Sequence, residues 1–171
     1  PASALNLITG GPGTSGADFL TVGVGARALA MGGAFTAVDS GADANAVNWN
    51  PAALGFIDGS NVTASYNSLF KDENQGYLGY ASPSGKTGGV WAGGLNYLTV
   101  SKIERRAAAT EDPDGTFSNQ NYALSLSYAK DFDGVALGGS LKYVRVALDT
   151  LKENAMAVDA GLLARTPVED L

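Results

Sequence analysis

Through most of its length the chain alternates with a period of two, and the residues opposite the apolar set are small instead of charged. Tyr122, Leu124, Leu126 and Tyr128 alternate with Ala123, Ser125, Ser127 and Ala129. Val135, Leu137, Leu141 and Tyr143 oppose Ala136, Gly138, Ser140 and Lys142, and Met156, Val158, Ala160 and Leu162 oppose Ala157, Asp159, Gly161 and Leu163. Between residues 61 and 70, Val62, Ala64, Tyr66 and Phe70 alternate with Thr63, Ser65 and Asn67. Successive side chains of a strand point to opposite faces, so this periodicity predicts strands with one apolar face. With residues 75–82 and 88–100 the sequence predicts six strands, each near the length at which a tilted strand crosses a bilayer.

A soluble antiparallel sandwich produces the same periodicity, its apolar face being the core. Three features favour a membrane barrel. Aromatic residues (Trp91, Tyr97, Tyr122, Tyr128 and Tyr143) fall near strand ends on the apolar face, as an interfacial girdle requires. The opposite face carries Gly, Ala and Ser where a solvated sheet would carry Lys, Glu and Thr, which predicts an interior crowded by a plug. The connections also sort by length: Gly-containing turns at 82–86 and 131–134 are predicted on the periplasmic side, and a long polar loop at 101–116 on the outside.

The segment before the strands has a different character. Gly25 to Leu54 reads GARALAMGGAFTAVDSGADANAVNWNPAAL. Its small residues, Gly32 and Gly33 among them, let backbone approach backbone, and Arg27 is its one basic side chain. Asn50-Pro51 forces a turn, because proline bars its predecessor from the helical region. The run from Phe19 to Val38 is long enough to pass for a membrane helix, yet Arg27 and its glycines make it a poor one.

GARALAMGGAFTAV, a short acidic link and NWNPAAL together resemble the N-terminal signature of the PorV/PorQ outer-membrane family, itself similar to the FadL-type long-chain fatty-acid channels. The resemblance is specific over residues 25–54 and compositional beyond. It implies an all-β fold, an antiparallel outer-membrane β-barrel of which this chain supplies about six N-terminal strands, with an N-terminal plug or hatch. Under it, residues 1–18 are a flexible leader, 19–58 the plug with its Asn-Pro-Ala motif, and 59–171 membrane strands. Arg27, Gly32, Gly33, Asn48, Asn50, Pro51 and Ala52 are then plug residues; Asn48, Asn50, Pro51 and Ala52 shape the irregular segment and perform no chemistry, the alternative being a part in gating a hydrophobic ligand, as hatch movement does in the fatty-acid channels.

Composition narrows the function. The chain has no Cys and no His, so Cys nucleophiles, Ser-His-Asp triads and His-ligated metals are absent. We expect no enzyme activity and no cofactor or metal. A net charge of −6 argues against nucleic acid as a partner. Gly23-Val24-Gly25 lacks the context of a phosphate loop, and Asp39, Asp43 and Asn45, or Asp112 and Asp114, lack the later Glu of a calcium loop.

Lys142 and Asp159 fall on the small-residue face of adjacent predicted strands, which predicts either a charge pair in the lumen or two charges that each face water in a channel. The chain opens at Pro1 without a basic and apolar leader, so an export signal is expected outside it, and residues 164–171 predict a turn towards further strands, since membrane barrels need about eight. The resemblance implies a bacterial outer-membrane protein in contact with lipid and with other proteins of a type IX-like secretion or surface-attachment system. The alternatives are a channel for hydrophobic small molecules, or a structural barrel within a larger surface assembly.

Overall fold

The computed structural model describes residues 17–109 and 111–165. The fold is all-β: six antiparallel strands form one sheet in sequence order. They are β1 (Asn61–Phe70), β2 (Glu73–Ser84), β3 (Gly89–Arg105), β4 (Gly115–Phe132), β5 (Val135–Leu148) and β6 (Leu151–Ala164). β1 and β6 are the two edges, and the sheet does not close on itself among the described residues.

The alternation places every predicted apolar set on one face. Ala64, Leu78, Leu95, Leu124, Tyr143 and Met156 stand side by side across all six strands. The neighbouring row is Val62, Tyr80, Gly93, Leu126, Leu141 and Val158. This face is bare: Leu124 is 59% and Val158 77% exposed. The other face is covered, with Ala81, Ala129 and Ala136 fully enclosed and most of the inward residues of β1 and β6 half-buried.

The covering layer is the segment from Ala17 to Ser60. A 3-10 turn at Asp18–Thr21 packs Phe19 with Leu98, Ala123 and Val144 of the wall. A short helix α1 (Ala26–Ala30) ends in Gly32 and Gly33 at φ 64° and 83°, the left-handed conformation that glycine adopts without a Cβ penalty. A second helix α2 (Ala46–Trp49) runs into a 3-10 helix at Pro51–Phe56. Ala44, Val47, Ala52, Leu54, Phe56 and Ile57 interleave with wall residues including Ala81, Ala92, Ala129 and Ala136, and this interface is the largest apolar core. Small residues on the wall let the irregular segment approach; bulkier ones would hold it off. No helix among the described residues is long and apolar enough to cross a membrane.

Several boundaries differ from the sequence-based expectation. Leader residues 1–16 lie outside the described residues, but Asp18 already belongs to the covering segment. The loop expected at 101–116 shrinks to 106–114, because β3 and β4 continue to pair through Arg105 and Gly115. The turn expected at 82–86 lies at 85–88, and the connections at 71–72, 133–134 and 149–150 are two residues each. Loop length therefore distinguishes the two ends through the β3–β4 connection alone. Asp133-Gly134 has positive φ at both positions, the primed hairpin geometry that matches strand twist.

Candidate functional site

The Asn-Pro-Ala segment is where the plug meets the wall most closely. Asn50 is buried, and its side chain is fully employed. Oδ1 accepts from the Ala52 amide at 3.0 Å, capping the 3-10 helix that Pro51 opens. Nδ2 donates to Thr36 O at 2.9 Å and to Leu162 O of β6 at 3.4 Å. One amide thus satisfies an irregular loop, a helix start and an edge strand. Pro51 and Ala52 lie over Gly138, where a Cβ would stand 2.5 Å from Ala52 N and from Pro51 C and O. At Gly161 a Cβ would collide with Asn50 Oδ1. These wall glycines are the footprint of the motif.

Further polar contacts tie the plug down. Arg27 donates to Gly41 O at 2.9 Å and Ser40 O at 3.2 Å, and its guanidinium stands 5.6 Å from the Phe35 ring centre. Gly33 faces the Trp49 ring, whose Nε1 donates to Val24 O at 3.0 Å. Gly32 has open space around it and is needed for its backbone conformation alone.

The wall contributes contacts that the sequence did not single out. Tyr77 Oη donates to Ala44 O at 2.7 Å, Gln75 Nε2 to Val22 O at 3.1 Å, and Asn61 Oδ1 accepts from Ala44 N at 2.9 Å. Their only signal in the sequence is a polar residue at an inward position of a strand. Arg165 reaches back to Asp39 at 2.7 Å, with its guanidinium 4.0 Å from the Phe56 ring centre. That hydrogen bond holds the Asp39 carboxyl below its ordinary pKa.

Beside the motif lies a cavity of about 440 Å³ lined by Asn48, Trp49, Asn50, Pro51, Lys142 and Asp159, among others. Lys142 Nζ is 2.6 Å from Asp159 Oδ2, with the lysine side chain 10% and the aspartate 38% exposed. The pair is diagonal, since Lys142 registers with Ala157 and Asp159 with Ser140. Asp43 and Asp114 spend their carboxylates on local amides, those of Asn45 and Ala107.

On the outer face, Trp91 stands opposite Tyr128 with ring centres 4.9 Å apart, and Tyr97 opposite Tyr122. Tyr97 covers the bare backbone at Gly76. Tyr143 stands one row nearer the middle of the sheet, and its hydroxyl reaches to Asn154 Oδ1 at 2.8 Å, the level of Tyr122.

Fold and site together define an antiparallel β-sheet protein with one apolar face bare and the other closed by its own N-terminal segment. Residues 12–150 match the Uncharacterised protein family (UPF0164), and the chain belongs to that family. No curated protein and no solved structure matches it.

Proposed function

We propose that this chain forms the plugged wall of a non-enzymatic outer-membrane β-barrel that serves protein export or surface attachment. The observation that carries the membrane assignment is the asymmetry of the sheet: continuous rows of exposed Leu, Val, Met and Tyr on one face, and buried small residues under a plug on the other. Monomeric soluble proteins rarely leave so extended an apolar surface in water.

The dimensions agree. On β4 the outward residues run from Tyr122 through Leu124, Leu126 and Tyr128 to Phe132. Ten steps of about 3.4 Å at a tilt near 40° span roughly 26 Å, the height of the apolar band of such barrels. Lys130 lies between, its ammonium 5.4 Å from the Phe132 ring centre, an arrangement suited to snorkelling towards the interface. The rows of Tyr66, Tyr97 and Tyr122 and then of Ser68, Asn74, Thr99 and Gln120 mark the change to polar residues at the other end. Edge strands cannot remain unpaired in lipid, so β1 and β6 are completed by further strands.

The cavity beside the plug bears on the choice between export scaffold and channel. A channel for hydrophobic molecules needs a mainly apolar pocket, whereas here Lys142, Asp159, Asn48 and Asn50 share the lining with Val47, Trp49 and Leu162. Glycine-enabled contacts and Asn50 fix the plug, and the β3–β4 hairpin projects polar residues beyond the apolar band. These features, with the PorV-like signature, favour a scaffold that meets other proteins. The test is a deletion strain: loss of exported proteins from the cell surface with unchanged fatty-acid uptake is expected. Lost uptake with an intact surface proteome would assign the channel role instead.

A further inference from the structure

We propose that Arg145 and Lys152 form a site on the outer face for the phosphate group of an anionic membrane lipid. This rests on the membrane assignment above and adds a ligand to it. Arg145 of β5 registers with Asn154, so Lys152 of β6 is its diagonal neighbour on the same face. Two cations on diagonal positions, about 7–8 Å apart between backbones, are close enough for their long side chains to converge on one anion. Among the described residues neither is held in an ion pair; the nearby Asp149 is bound by Arg105.

The two cations line a groove of about 450 Å³ together with Tyr122, Tyr143, Leu95 and Leu124. The lining is graded along the strands. Lys152 shares a row with Ala147 and Gln120, Arg145 the next with Tyr122, and Tyr143 the next with Leu124 and Leu95. A cationic end, an aromatic collar and an aliphatic floor follow in the order phosphate, glycerol and acyl chain. A guanidinium offers paired donors to phosphate oxygens, and the ammonium adds a point charge from the other side. The aliphatic floor is what selects a lipid over free phosphate, since inorganic phosphate gains nothing from Leu95 and Leu124.

The test uses the natively extracted protein, with whatever chain completes its sheet, reconstituted in phosphatidylcholine nanodiscs containing a minority of phosphatidylglycerol. Retained lipid is read by native mass spectrometry. The native protein is expected to favour phosphatidylglycerol roughly tenfold, and Arg145→Gln with Lys152→Gln to abolish the preference. Quenching of Trp91 by brominated lipid, which reports insertion, is expected to be the same in both. Equal lipid preference in native and variant proteins, with Trp91 quenched in both, overturns the site and leaves the membrane assignment standing. Displacement of the lipid by millimolar inorganic phosphate overturns the lipid as ligand. An unquenched Trp91 in the native protein overturns the membrane assignment and the site with it.

Discussion

Asn50 of the plug donates a hydrogen bond to Leu162 O of the last strand, across 112 residues of sequence. The same nitrogen binds Thr36 O while Oδ1 caps the Pro51 helix, so this amide joins three parts of the chain that no local interaction would bring together. Asn50→Asp keeps the acceptor and removes both donated bonds. The expected cost is about 1–3 kcal/mol for the two lost bonds. A fall in the temperature at which the folded, fast-migrating form is lost on unboiled gels would register it; an unchanged transition would mean that Asn50 does not hold the plug.

Gly138→Ala drives a methyl group into Pro51 and Ala52, and there the obstacle is backbone. Overpacking of this kind costs about 1–3 kcal/mol, and more where the neighbour cannot move. Gly115→Ala, at a position with open space, is the control and is expected to change stability by less than about 0.5 kcal/mol. Equal behaviour of the two variants in thermal melts would show that the motif does not sit on Gly138.

Lys142 and Asp159 are expected to couple. Removal of the aspartate leaves a nearly enclosed ammonium without its partner, whereas removal of both leaves none. Because Asp159 is more than a third exposed, solvent screening limits the coupling to about 1 kcal/mol. Comparing Lys142→Ala, Asp159→Ala and the double variant measures it; additive losses would show that the two charges act independently.

Much of this architecture could be read from the sequence, for an identifiable reason. Each of Leu124, Leu126, Ser125 and Ser127 states its own side of the sheet, since the period of a strand is local. The strand ends were less legible. Residues 101–105 are Ser-Lys-Ile-Glu-Arg, which reads as loop, yet the β3–β4 ladder carries through them after a bulge between Val100 and Ile103, where Lys102 takes φ 54°. Backbone pairing continues where polarity changes, so polarity marks the apolar band and not the end of the strand. Contacts such as Gln75 to Val22, or Tyr77 to Ala44, depend on how a non-repetitive segment lies over the wall, and no periodicity encodes that.

The Asp39 to Arg165 contact predicts a pH dependence. Arg165 lowers the folded-state pKa of Asp39 below its ordinary 3.8, so the contact contributes stability above that value and loses it as pH falls through the lowered one. Asp39→Asn is expected to reduce the thermal stability lost between about pH 5 and pH 2, without abolishing it, because other carboxylates titrate there too. Identical acid sensitivity of native and variant proteins would show that Asp39 does not contribute.

The most direct test of the central claim exploits a sequence without cysteine. Single cysteines at Leu124, Ser125, Leu126 and Ser127, spin-labelled in reconstituted membranes, report whether each position meets lipid. Oxygen accessibility is expected to be high at Leu124 and Leu126 and low at Ser125 and Ser127, with the water-soluble nickel reagent excluded from the two leucine positions. Accessibility to the nickel reagent at Leu124 and Leu126, or loss of the alternation, would contradict a bare face that lies in the membrane.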